Sequence, residues 1–170
     1  ILSAGLDASA PNSSETMDEE LFIRQMLVAE PDIFRHVDGW ASHSYPNPNF
    51  SGNPNATGRG TVRTFNWERE LLKSFGFTEL PIFITETGWL NFNPDTVANN
   101  YEFAFTNVWK QNNIVAVTPF LLNYQQEPFQ SFSWRKFNSS EFYPVYERVS
   151  KLNKVKGEPK QINLAKLNFK

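Results

Sequence analysis

Pro81-Ile82-Phe83-Ile84-Thr85-Glu86-Thr87-Gly88-Trp89 is the stretch from which the rest of the chain can be read. Ile82-Phe83-Ile84 is a short apolar run with the length and β-branched content of a buried strand. Side chains on a strand alternate between faces, so Ile82, Ile84 and Glu86 are expected on one face. A carboxylate thus continues an apolar row, and burying an ionised carboxylate without partners is expensive, so the group is either paired or used. Gly88 lets the chain turn just beyond it, and Trp89 offers a flat apolar ring beside the acid. A charge that can meet an oxocarbenium-like centre, next to a ring that can hold a sugar, suits cleavage of a glycosidic bond.

Outward from this stretch the chain alternates strand and helix. Residues 1–6 read as a short strand. Thr16-Met17-Asp18-Glu19 matches a capping box, and the helix that follows runs to about Ala29, with Phe22, Met26 and Ala29 on one side and Pro31 as its stop. Residues 37–43 form a second strand candidate, followed by a long Asn/Pro/Gly/Ser loop over 44–60, a length that usually marks function or disorder. A helix begins near Asn66, with Trp67, Leu71 and Phe75 as its stripe and Gly76 at its end. After the Glu86 strand, Asn93-Pro94 reads as an N-cap with Pro at the first helical position. Val97, Tyr101, Phe105 and Trp109 follow at four-residue spacing. Residues 114–122 make a fourth strand, in which Pro119 fits only near the end. A loop over 123–138 leads to a last helix near 143–152. Alternation of this kind implies a parallel sheet with crossover helices.

The Ile84-Thr85-Glu86-Thr87-Gly88-Trp89 run resembles the strand-seven nucleophile motif of the retaining glycoside hydrolases of clan A, which are (β/α)8 TIM barrels. His43-Ser44-Tyr45, one strand earlier in Trp40-Ala41-Ser42-His43-Ser44-Tyr45-Pro46, looks like the clan's strand-six motif. The resemblance implies that Glu86 is the nucleophile, that the Tyr45 hydroxyl orients it and that His43 sits beside the sugar. It further implies sugar-binding rings, for which Trp89, Trp134, Tyr124 and Trp40 are the candidates. A full barrel needs about 250 residues, so a chain of 170 residues is expected to hold the last four βα units, a half barrel over 1–153, with a Lys-rich surface tail over 154–170.

One element of the clan pattern is missing. Retaining cleavage uses two carboxyl groups about 5–5.5 Å apart, and the clan's acid/base is the Glu of an Asn-Glu pair. The sequence has no such pair. Glu127 lies after the wrong strand, and Asp7 is short and outside the clan pattern. The proton donor is therefore expected upstream of Ile1, and the chain alone is expected to hydrolyse poorly or not at all.

Composition bounds the alternatives. A net charge of −2 gives no basic patch for nucleic acid. No apolar run approaches the ~18–20 residues of a membrane span. With no Cys and 2 His, at positions 36 and 43, disulfides are excluded and a metal hydrolase is disfavoured; no cofactor or metal is expected. Aromatic residues at 15% suit either a thick core or a carbohydrate-lined cleft. Sequons at Asn12, Asn49, Asn55 and Asn138 raise secretion as an expectation without fixing the compartment. The expected partners are a carbohydrate and whatever covers the open half, either the other half of a barrel or a second copy. The second reading is a sugar-binding half barrel that self-associates and does no chemistry.

Overall fold

The structure, a computed structural model, describes residues 1–77, 80–90 and 93–153; the expected tail over 154–170 lies outside the described residues. Three strands, β1 (Trp40–His43), β2 (Ile82–Thr87) and β3 (Ile114–Pro119), form an open parallel sheet in the order β1-β2-β3. Four α-helices, α1 (Glu19–Ala29), α2 (Thr64–Ser74), α3 (Pro94–Phe103) and α4 (Pro144–Ser150), accompany it. The crossovers from β1 to β2 and from β2 to β3 carry α2 and α3, as parallel pairing requires.

This arrangement corrects the half-barrel expectation. Among the described residues the sheet has three strands, not four, and it is open. Residues 1–6 do not form a strand: Leu2 makes one isolated parallel bridge to Gly39. One residue later the Ser3 hydroxyl, not a backbone carbonyl, accepts the Ala41 N–H at 2.9 Å. Gly5 then crosses directly over the His43 ring, where a Cβ would meet Nε2 at 2.1 Å. The first segment passes over β1 and does not extend its ladder.

The helices bury their apolar sides against one face of the sheet. Ile82 and Ile84 of β2 and Trp40 of β1 enter the core with Ile23 of α1, Phe65 and Leu72 of α2, and Val97 and Tyr101 of α3. Each such large side chain contributes roughly 1.5–3 kcal/mol on burial. Helix boundaries follow local chemistry. Asp18, not Thr16, caps α1, accepting the Leu21 amide at 3.1 Å, while the Thr16 hydroxyl donates to Pro11 O. Asn93 caps α3 through the Thr96 amide at 3.0 Å, with Pro94 in the first turn. A π-helical turn, Ala104–Val108, extends α3 and brings Val108 and Trp109 into the core. On α1 it is Ile23 that is fully buried, whereas Phe22 is partly exposed.

The register of β2 decides which way its acid points. Trp40 pairs with Ile82, Ala41 with Phe83 and Ser42 with Ile84, but His43 pairs with Glu86. Thr85 is thus an extra residue on β2, a bulge that shifts the alternation by one. Glu86 leaves the row of Ile82 and Ile84 and joins His43 on the face away from the helices. The expected single row Ile82-Ile84-Glu86 is therefore wrong, and the bulge is the reason.

Candidate active site

The carboxyl ends of β1 and β2 place three of the expected groups together. His43 is the last residue of β1, Tyr45 follows two residues on, and Glu86 is the penultimate residue of β2. The Tyr45 hydroxyl donates to Glu86 Oε2 at 3.1 Å. His43 Nδ1 stands 3.6 Å from the same oxygen, an approach that becomes an ion pair when the imidazole is doubly protonated. Among the described residues no hydrogen bond reaches Glu86 Oε1. The side chain of Glu86 is 38% exposed, so the group is held yet open to a ligand. Burial, and after it the neighbouring Glu86 carboxylate, pushes the Tyr45 phenol far up, so Tyr45 remains a donor at any ordinary pH.

A cage of rings fixes that phenol. Phe50, Phe120 and Phe132 meet the Tyr45 ring edge-on at centroid distances of 5.1, 6.1 and 6.2 Å. Phe50 comes from the long loop, where Asn49 and Phe50 both adopt φ of +53°. That left-handed conformation costs about 1–2 kcal/mol for a residue with a Cβ. It is held by the Leu90 amide donating to Phe50 O at 3.0 Å and by Trp89 Nε1 donating to Gly52 O at 2.8 Å. The loop over 44–60 is therefore tied to the exit of β2 and stands beside Glu86.

A second set of bonds lies behind the site. Thr87 Oγ1 donates to Ser44 O at 2.7 Å, and Ser44 Oγ and Ser42 Oγ are 2.8 Å apart. These buried hydroxyls join the ends of β1 and β2 on the side opposite Glu86. Gly88 is required by close approach more than by a turn: a Cβ there would meet the Tyr101 hydroxyl at 2.8 Å.

The expected sugar-binding rings do not gather here. Trp89 is 2% exposed and meets Tyr101 edge-on at 5.0 Å. Trp40 is 1% exposed and packs edge-on with Phe34; Trp134 is 8% exposed and meets Tyr101 at 5.1 Å. Rings enclosed in this way have little face to offer a ligand, so these three are corrected to core residues. Tyr124 is half-buried and tilted against Phe129. The rings that do approach the site, Phe50, Phe120 and Phe132, were missed. The signal for Phe120 was its position directly after β3, at the same end of the sheet as Glu86. His36 is exposed, and among the described residues no three His, Cys, Asp or Glu side chains converge on a metal position. Among the described residues no helix is long and apolar enough to cross a membrane.

Comparison of the chain with protein-family models, curated proteins and solved structures finds no match.

Proposed function

We propose that the chain carries the nucleophile side of a retaining glycoside hydrolase site, acting on the O-glycosidic bonds of an oligo- or polysaccharide by double displacement. The supporting observation is the hydrogen bond from Tyr45 to Glu86 Oε2, with His43 at the same oxygen. Oε1 is the oxygen left to attack the anomeric carbon. In that step the Oε1–carbon bond forms, the bond to the leaving oxygen breaks, and Glu86 becomes a glycosyl ester that water later hydrolyses. Tyr45 holds the carboxylate in one orientation, which favours a near-attack geometry. Neither group that reaches Glu86 is a carboxylic acid, so a proton donor has to be brought to the leaving oxygen by another carboxyl. A glycan with an ordinary leaving group is expected to react slowly, if at all, with this chain alone.

The test avoids that donor. A 2-fluoro glycoside with a dinitrophenolate leaving group needs no protonation, and a panel of such sugars is incubated with the chain. Mass spectrometry is expected to find one glycosyl group on the peptide containing Glu86 and none in Glu86→Gln. Labelling of a different carboxyl, or of none across the panel, defeats the assignment.

A second reading is supported by the free edge of β3, where Val115 is 58% exposed. In it the chain binds a carbohydrate without cleaving it, and a second copy covers the open sheet. Sugar binding that is unchanged by Glu86→Gln, with no labelling, selects this reading.

A further inference from the structure

Glu19, the first residue of α1, and Glu68, in the middle of α2, are 1% and 0% exposed. Among the described residues none of their four carboxyl oxygens accepts a hydrogen bond, and the buried Trp40 Nε1 beside them also lacks an acceptor. The two carboxyls lie against each other, with Ser42 and Trp40 of β1 adjoining Glu68. Two ionised carboxylates cannot occupy such a site, since burial and mutual repulsion both oppose it.

The charged groups around the pair do not neutralise it. Asp7, from the first segment, and Asp18, the α1 cap, add negative charge near Glu19. Among the described residues the cation that acts on Glu19 is Arg59, from the long loop, and it is committed elsewhere. Its guanidinium pairs with Asp18 at 2.6 Å, its Nε donates to Ala8 O at 2.6 Å, and it lies 4.7 Å over the Trp67 ring. The face contributed by β1 carries only the neutral Trp40 and Ser42.

We propose that Glu19 and Glu68 are joined through a carboxyl proton and form a latch that holds α1, α2 and β1 together in acid and releases as the solution turns alkaline. Glu68 holds the proton and donates it to Glu19, and the Trp40 and Ser42 donors face the pair. Loss of that proton leaves two buried negative charges with no cation between them, and the start of α1 is expelled from α2. The latch does not depend on the chemistry proposed for Glu86.

Burial, with Glu68 opposing it, pushes Glu19 up to about 7, and burial and then Glu19 hold Glu68 well above the ordinary carboxyl range. Both groups are therefore raised relative to the unfolded chain. Their contribution is complete below the ordinary value of 4.5 and is lost as pH rises through about 7 and above. Thermal unfolding of the wild-type chain from pH 5 to pH 8.5 is expected to show Tm falling on the order of 5–10 °C. Glu68→Gln, which keeps a donor toward Glu19, is expected to remove most of that slope. A flat wild-type profile, or a slope unchanged in both Glu19→Gln and Glu68→Gln, overturns the latch. Should the variants not fold, carbon NMR of the wild-type Glu carboxyls decides: a pair titrating together above pH 6 is expected, and titration of every Glu below pH 5.5 overturns the proposal.

Discussion

Tyr45 holds Glu86 by a single hydrogen bond to a charged acceptor, an interaction worth roughly 1.5–3 kcal/mol. Under the proposed chemistry, Tyr45→Phe is expected to slow labelling of Glu86 about 10–100-fold while Tm changes little, because the ring and its Phe50, Phe120 and Phe132 contacts stay. Comparing labelling rates and melting curves of the two proteins checks it. Trp89 separates a packing role from a sugar-holding one. Trp89→Ala is expected to cost about 3–5 kcal/mol in urea unfolding, the range for an enclosed aromatic. A substitution that left stability intact would return Trp89 to the surface. The sequence singled out Glu86, His43 and Tyr45 because each ends or follows a strand candidate at alternating spacing, and the structure brings the three side chains together. It hid the burial of Trp89, because a ring after a turn reads the same whether it faces solvent or Tyr101.

At the scale of elements, chain chemistry was most readable where side chain and backbone bond locally. Asn93-Pro94 caps α3 as expected, and Asn93→Ala is expected to cost about 1 kcal/mol, measured by chemical unfolding. The α1 cap shows the limit of that reading. Thr16 and Glu19 have the spacing of a capping box, yet Asp18 takes the cap and Glu19 turns inward, because Glu68 and the core lie on that side. The signal was present in α2: Glu68 falls on the stripe of Thr64, Phe65, Leu71 and Leu72, where an apolar residue belongs. Asp18 titrates with the opposite sign to the latch. Burial would raise it, but the Leu21 amide and Arg59 together hold it below its ordinary value of 3.8. Its contribution is present above that pH and lost as pH falls, so the Tm optimum is expected near pH 4.5–5.5 and moves toward acid in Asp18→Asn.

For the whole molecule, alternation of strand and helix correctly implied parallel pairing, and β2 and β3 lie close to their expected positions. The number of strands was overestimated, because hydropathy cannot report that Ser3 substitutes for a backbone acceptor or that Gly5 rides over an imidazole. The sheet ends at β3 on an edge that carries no charged side chain. Beside it a groove of about 960 Å³ is lined by Trp109, Ile114, Val115, Val117 and Leu152 among others. Among the described residues no strand pairs with this edge, and open edges of this kind recruit other strands. Concentration-dependent association is expected in sedimentation, and Val115→Lys is expected to suppress it with Tm within a few degrees of wild type. Equal association of both proteins would place the contact elsewhere.

The bulge at Thr85 makes the orientation of Glu86 a matter of residue count more than of residue type. Straightening β2 with Thr85 kept in the ladder would swing the carboxylate through the sheet into the oily layer beside Ile82 and Ile84, whereas removing Thr85 would set the acid directly after Ile84 and leave it on the His43 face. A β2 shortened by that one residue would thus keep the acid beside His43, whereas one extra residue before Glu86 that enters the ladder would turn it inward without any change to the acid itself.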